Sequence, residues 1–143
     1  MESGILREQL RQLVRHLGVL DKSDAGGREL SLAQCHALVE IGRKGRMNLN
    51  ELAETLNVDK STVSRTLNHL VKAHLAARLP DDADRRYVVI RLTERGERLF
   101  KTTETAMDAY YRAVFERIPQ AKRAQVVDSL LVLNEAIGSD PCC

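Results

Sequence analysis

The sequence predicts a mainly α-helical protein with one small β-hairpin. Three observations support this class. Apolar residues recur at helical spacing in six segments. Between Ala76 and Leu92 the pattern becomes that of strands, with β-branched residues after a polar turn. The 143 residues, 43% hydrophobic and 29% charged, suit one globular domain, alone or with an oligomerisation element.

The first predicted helix carries a seam of leucines. They are spaced 4, 3, 4 and 3 residues apart, at Leu6, Leu10, Leu13, Leu17 and Leu20. A period of 3.5 is typical of a helix that packs along another helix. The following segment, Asp21–Glu29, contains two adjacent glycines and is predicted to be a loop.

Polar residues that cap helix N-termini begin the next three predicted helices. They are Ser31 for the second helix, Asn48 or Asn50 for the third, and Asp59 for the fourth. The second helix should end near Gly42–Gly45 and the fourth at about His74. The residues expected to face the core are Leu32, Leu38, Val39, Ile41, Leu52, Ala53, Leu56, Val58, Val63, Leu67, Leu70 and Val71.

The predicted hairpin begins at Arg78 and Leu79 and turns at Pro80–Asp84. Its second strand is Tyr87–Leu92, with Val88, Ile90 and Leu92 on one face. Thr93 then begins a long fifth helix.

Pro119 ends the fifth helix or opens the sixth, which ends at Gly138. The long first, fifth and sixth helices carry apolar stripes that the small middle of the chain cannot fully cover. Such stripes are expected to be buried against each other or against a second copy of the chain.

The net charge of +2 hides an uneven distribution. Residues 1–59 hold 8 basic and 9 acidic side chains, residues 60–96 hold 8 and 4, and residues 97–143 hold 6 and 7. The middle of the chain is therefore positive by four charges, which favours an anionic partner, most often nucleic acid. No apolar run is long enough for a membrane span, and no signal peptide is recognisable, so we expect a cytoplasmic protein.

The third and fourth predicted helices fit a helix-turn-helix. Ala53 is small where the helices would cross, Asn57 suits a left-handed turn, and Val63 would pack the second helix against the first. The outward face of the fourth helix is polar or basic, and no carboxylate occurs from Lys60 to Leu79. We call this face the recognition surface and expect it to contact DNA through Lys60, Ser61, Thr62, Ser64, Arg65, Asn68, His69 and Lys72.

Within the recognition surface, Arg65 and Asn68 can make bidentate contacts to guanine and adenine respectively. The hairpin tip adds Asp84, Arg85 and Arg86, and an arginine can enter a narrow minor groove. We expect Asp84 to pair with Arg86 and to hold its guanidinium toward that groove.

The run from Asp84 to Gly96, DRRYVVIRLTERG, resembles the wing signature D-x-R-x5-L-T-x-x-G of the MarR family of bacterial transcriptional regulators. Asp59–Arg65, DKSTVSR, is similar to the start of that family's recognition helix. The resemblance covers essentially the whole chain. It implies a winged helix-turn-helix with N- and C-terminal dimerisation helices, forming a homodimer on a pseudo-palindromic operator in double-stranded DNA.

The resemblance also implies release from DNA when a ligand or oxidant changes the spacing of the recognition helices. By this resemblance the chain divides into three regions. Residues 1–30 form the first dimerisation helix and loop, residues 31–96 the DNA-binding domain, and residues 97–143 the C-terminal dimerisation helices and tail. Repression is the expected sign of regulation. A winged helix can also serve as a protein-binding module, but the polar recognition surface and the wing arginine favour DNA.

The odd number of cysteines excludes a disulfide framework and directs attention to thiol chemistry. Cys35 lies near the N-terminus of the second helix, which lowers thiol pKa values, and Cys142 and Cys143 end the chain. In a dimer of this family the three thiolates could meet and bind a thiophilic effector such as arsenite, antimonite or a soft metal ion. Oxidant sensing through Cys35, or an organic anion bound between the dimer and DNA-binding regions, are the alternatives.

An enzyme is not expected. The sequence contains no G-x-G-x-x-G, P-loop or G-x-S-x-G motif, and the four histidines do not form a zinc pattern. No cofactor is required by this interpretation.

Overall fold

The computed structural model describes residues 1–24 and 30–139, and it confirms a mainly α-helical chain with one antiparallel β-hairpin. The elements are α1 (Glu2–Asp24), α2 (Leu32–Lys44), α3 (Leu49–Leu56), α4 (Lys60–Lys72), β1 (Ala76–Pro80), β2 (Val88–Leu92), α5 (Glu94–Arg117), a 3₁₀ turn (Gln120–Lys122) and α6 (Arg123–Ser139). Their order is the predicted one. Among the described residues, no helix is both long and apolar enough to cross a membrane.

The chain divides into two compact units, Met1–Thr105 and Ala106–Cys143. The first unit contains α1 to α4, the hairpin and the start of α5. The second contains the rest of α5 and α6. The finer division of the chain at residues 31 and 97 stays a prediction.

The hydrophobic core of the first unit lies between α2, α3, α4 and the hairpin. Its largest fully buried side chains are Leu38, Ile41, Leu52, Val63, Leu67, Leu70, Leu75 and Ile90. Each such side chain stabilises the fold by about 1.5–3 kcal/mol relative to an exposed one. Because α4 and the hairpin share this core, their outward surfaces are held in a defined relation to each other.

Side-chain caps begin α2, α3 and α4, as predicted. Ser31 and Gln34 form a reciprocal capping box, in which the Gln34 amide donates to Ser31 Oγ at 3.2 Å and the Ser31 amide donates to Gln34 Oε1 at 3.1 Å. Asn48, rather than Asn50, caps α3 by accepting the Glu51 amide at 2.8 Å. Asp59 caps α4.

The turn between α3 and α4 confirms the left-handed conformation predicted for Asn57, with φ 54° and ψ 47°. The amide of Val58 donates to the carbonyl of Ala53 at 3.1 Å and closes the end of α3. The prediction that Val58 belongs to the core is wrong, since it is 41% exposed. The reversal of the chain at Asn57 directs the next residue outward.

The hairpin pairs Leu79 with Val89 and Arg78 with Ile90, and β1 includes Pro80, which was expected in the turn. A backbone bridge that the sequence did not reveal joins Met47 to the other edge of β2. Met47 donates to Ile90 at 3.1 Å and accepts from it at 2.7 Å.

The prediction that Val88, Ile90 and Leu92 form one buried face of β2 holds only in part. Val88 is 51% exposed because it pairs with Pro80 at the tip, away from the buried end of the hairpin. Val89, on the opposite face, is only 7% exposed and lies beside Arg46.

The start of α5 is fastened to the segment that follows α4. Thr93 caps the helix, since its Oγ1 accepts the Gly96 amide at 3.0 Å while donating to the His74 carbonyl at 2.6 Å. A Cβ on Gly96 would lie 2.0 Å from the carbonyl oxygen of Leu75. The glycine of the L-T-x-x-G run is therefore required by a close backbone approach.

Several predicted boundaries need correction. α1 continues to Asp24, so the loop predicted at Asp21–Glu29 is wrong for its first four residues, and residues 25–29 lie outside the described ranges. No helix breaker precedes the glycines there. α4 ends at Lys72 rather than near His74, because His74 adopts a positive φ of 59°. α6 continues one residue past Gly138.

Two predictions of inward apolar positions also change. Leu32 was expected in the core but is exposed, because it is the first residue of α2. Along the seam of α1, Leu6, Leu13 and Leu17 are exposed, and the side chain of Leu20 is outside the described set.

Candidate nucleic-acid interface

The predicted recognition surface lies on the outward face of α4, opposite the buried Val63, Leu67 and Leu70. Its exposed members are Lys60, Ser61, Arg65, Asn68, His69 and Lys72, and the half-buried members are Thr62 and Ser64. These residues lie on the side of the helix that the core leaves uncovered. They form a polar and positively charged surface.

The first turn of α4 gathers two hydroxyl groups around one carboxylate. Asp59 accepts the Thr62 amide at 3.1 Å and also accepts the hydroxyls of Ser61 and Thr62. These hydrogen bonds, with those from the side chains contributing most, hold the pKa of Asp59 well below its usual range. Because both hydroxyl protons are donated to Asp59, Ser61 and Thr62 can only accept further hydrogen bonds, and a group that only accepts suits base amino groups better than phosphates.

Two further members of the recognition surface are positioned by neighbours. Arg65 Nη2 donates to Thr62 Oγ1 at 3.4 Å. Arg78 on β1 donates to Oδ1 of Asn68, a contact that the sequence reasoning missed. Since that contact uses the amide oxygen, the predicted bidentate reading of adenine by Asn68 requires Arg78 to share or leave it.

The hairpin tip confirms the predicted pairing of Asp84 with Arg86. Arg86 Nη2 donates to Asp84 Oδ2 at 2.7 Å, and Nε donates to the two carboxylate oxygens at 3.0 and 3.1 Å. The Arg86 amide also donates to Oδ1 at 3.1 Å. The Arg86 side chain is nevertheless 85% exposed, so its guanidinium is held in place and remains accessible.

The same contacts set the ionisation of the pair. The hydrogen bonds from the Arg86 side chain lower the pKa of Asp84, and the Asp84 carboxylate raises the pKa of Arg86. Backbone bonds close the turn around them, with Tyr87 donating to the Asp84 carbonyl at 3.0 Å and Asp81 donating to the Tyr87 carbonyl at 2.9 Å. Arg85 lies between the paired residues and is exposed.

A second ion pair near the tip was not predicted. Arg46, in the segment between α2 and α3, donates to Asp81 Oδ1 at 3.3 Å. These residues are 35 positions apart, so no local pattern could indicate the contact. It ties the hairpin tip to the body of the first unit.

The candidate effector site is only partly described. Cys35 is half-buried in α2, and its amide donates to the Ser31 carbonyl at 2.9 Å. Cys142 and Cys143 lie outside the described residues. Within the described ranges, no group of three His, Cys, Asp or Glu side chains is arranged to hold a metal ion.

The chain is similar in sequence to a known protein family and to a known transcriptional regulator. The model of the MarR family matches residues 30–88. The chain is 28% identical over 131 residues to the HTH-type transcriptional regulator YsmB of Bacillus subtilis, covering 87% of this chain and 88% of YsmB. YsmB is named as a regulator of transcription.

Solved structures share the fold, and two of them illustrate the likeness. One is RV1404 from Mycobacterium tuberculosis, with a TM-score of 0.75 and 28% identity, covering 100% of this chain and 98% of that one. The other is Streptococcus pneumoniae FabT in complex with DNA, with a TM-score of 0.85 and 20% identity, covering 94% and 96%.

Proposed function

The chain belongs to the MarR family of DNA-binding transcriptional regulators, and from this premise we propose that it acts in the cytoplasm as a repressor on a pseudo-palindromic operator. A homodimer would present two recognition helices, with each wing entering the adjacent minor groove. The observation that carries the proposal is the pair Asp84–Arg86, which holds an exposed guanidinium at the hairpin tip beside a carboxylate-free α4 surface.

The exposed apolar side chains of the long helices support the proposed homodimer. α1 exposes Ile5 and Val14, and α6 exposes Leu131, Val132 and Ile137. Apolar surface of this kind is normally covered by another chain in solution. A two-fold dimer would in turn require an operator with matching two-fold symmetry.

Substitution of the paired carboxylate tests the DNA-binding role. An operator duplex is first selected from a random-sequence library with the wild-type protein. Removing a negative charge should by itself strengthen DNA binding, so a loss of affinity in Asp84→Ala would mark a positioning role. We expect Asp84→Ala and Arg86→Ala each to weaken operator binding about tenfold or more, as measured by fluorescence anisotropy.

Asp82→Ala is the matched control, because it removes the same charge from the same turn without touching Arg86. It should leave affinity unchanged or increase it. Equal affinities of Asp84→Ala and Asp82→Ala would contradict the role given to the pair. Failure of the wild-type protein to select any DNA would contradict the proposed function itself.

We propose that the signal is a thiophilic metalloid or soft metal ion bound by Cys35, Cys142 and Cys143. The support is the chemistry of the donor set and the place of Cys35 near the N-terminus of α2, where the helix dipole favours a thiolate. Arsenite added to the protein–operator complex should release the DNA. Release should be lost in the double variant Cys142→Ser/Cys143→Ser.

An oxidant or an organic anion would give a different result. Release by hydrogen peroxide that Cys35→Ser abolishes, without an arsenite response, would favour the oxidant. If the double serine variant responds to arsenite as the wild type does, the thiolate site is wrong.

A further inference from the structure

One face of the hairpin lies toward α4 and the other lies away from it. Side chains alternate along a strand, so Arg78, which contacts Asn68 on α4, points to the opposite face from Leu79. The face away from α4 carries Leu79, Val89 and Arg91, and we call it the outer face. Arg91 was not among the residues singled out from the sequence.

The outer face contains a depression of 290 Å³. Val89 is one of its apolar lining residues and is nearly buried. Three guanidinium-bearing side chains from separate segments line it, namely Arg46, Arg85 and Arg91. Guanidinium groups are rigid multiple donors that match the oxygens of a phosphate.

Two carboxylates also line the depression, and their contacts decide its charge. Asp81 is engaged by Arg46 at 3.3 Å and by the Ala83 amide at 2.9 Å. Asp82 is exposed at the tip. In the part of the chain that the structure describes, Arg85 and Arg91 have no carboxylate partner, so the depression keeps a net positive charge.

We propose that the outer face binds a phosphate group of the DNA backbone, with Arg91 and Arg85 as donors and Arg46 beside them. The inference rests on the proposed function. A minor groove is about 6 Å wide and is bounded by two phosphate strands. If Arg86 enters the groove, the face toward α4 meets the strand shared with the major groove, and the outer face meets the other strand.

A charge-neutralising series on the selected operator tests the proposal. Arg91→Gln should weaken binding to operator and to random-sequence DNA by the same factor, about three- to tenfold, because a backbone contact carries no sequence information. The slope of log affinity against log salt concentration should fall in magnitude by about 1. Asp82→Asn should strengthen binding, and Arg112→Gln, which removes an exposed arginine of the second unit, should have no effect.

Operators with one neutral methylphosphonate locate the contact. Neutralising the phosphate that meets the outer face should weaken wild-type binding but should not weaken Arg91→Gln further. This proposal alone would be overturned if Arg91→Gln bound the operator with an unchanged salt slope and every methylphosphonate weakened the variant as much as it weakened the wild type. Loss of all DNA binding by the wild type would overturn the proposed function as well.

Inorganic phosphate distinguishes the two sources of the anion. It is titrated into the DNA-free protein at constant ionic strength, with chloride as the control, and the Val89 methyl resonances are followed. Saturable binding that needs Arg91, combined with DNA affinity that does not, would assign the depression to free phosphate and overturn the DNA contact.

Discussion

Helices α4 and α6 both carry leucine and valine at helical spacing, but their apolar side chains have opposite environments. Leu67 on α4 is 1% exposed, whereas Leu131 on α6 is 63% exposed. The apolar side of α4 is covered by α2, α3 and β1. Adjacent residues of α6, Leu131 and Val132, are both exposed, so more than one side of that helix is apolar.

The difference shows what hydrophobic periodicity does and does not indicate. It identifies a helix and a face that must be covered, but not the chain that covers it. For α4 the cover is intramolecular, which leaves outward the polar face that we propose contacts DNA. For α6 the cover is proposed to be a second copy of the protein.

The largest effect is expected from Leu67→Ala. The substitution removes a buried side chain of α4 and should lower the free energy of unfolding by about 2–5 kcal/mol. Urea unfolding followed by circular dichroism measures it. Leu130→Ala on α6 is the control, and an equal loss at low protein concentration would contradict the contrast between the two helices.

Gly96→Ala tests how tightly the unit that contains α4 is packed. Its new Cβ would collide with the Leu75 carbonyl, so we expect a loss of about 1–3 kcal/mol. Gly4→Ala is the matched control, because nothing lies within 4 Å of a Cβ there, and alanine should be tolerated or slightly stabilising. Thermal unfolding of both variants distinguishes a steric cost from a general effect of replacing glycine.

Leu131→Glu tests whether the exposed apolar surface of α6 is covered by a second copy of the protein. The unfolding free energy of the monomer should change by no more than about 0.5 kcal/mol, because the position is exposed on a single chain. The dimer dissociation constant should rise about tenfold or more, since a charge replaces an apolar contact. Sedimentation equilibrium measures it, with Gln125→Glu as a control for charge on the same helix. A dimer unaffected by Leu131→Glu would show that this part of α6 is not in the interface.

The smallest effect concerns the cap of α4. The pKa of Asp59 is lowered in the folded protein, so its contribution to stability is present above the unfolded value of about 3.9 and is lost as the pH falls toward the folded value. An asparagine side chain also caps helices but does not titrate, so Asp59→Asn should reduce the loss of stability between about pH 5 and 2. Urea titrations across that range compare the two proteins, and identical pH dependences would remove Asp59 as a source of acid sensitivity.

Local features of the fold and the site could be predicted from the sequence. The caps Ser31 and Asp59, the left-handed Asn57 and the pair Asp84–Arg86 each depend on residues no more than three or four positions apart. At such separations, the chain's own geometry brings the partners together.

Contacts between distant segments could not be predicted in this way. Arg78 reaches Asn68 across ten positions, and Arg46 reaches Asp81 across 35. The residues next to each arginine in the sequence do not indicate its partner. The partner is determined by how the hairpin packs on α2, α3 and α4. The same packing buries Val89 and exposes Val58, against the expectation for the latter.

The sequence by itself determined the order of helices and strands, the polar outward side of α4 and the family resemblance carried by the wing. Periodicity, capping and turn chemistry act over a few residues, so they can be read from the order of residues alone. Only the tertiary structure decided which amide Arg78 contacts, that Arg46 engages Asp81, and that Arg46, Arg85 and Arg91 share one face. These arrangements depend on three-dimensional packing, because separate segments meet only once the core of α2, α3, α4 and the hairpin has formed.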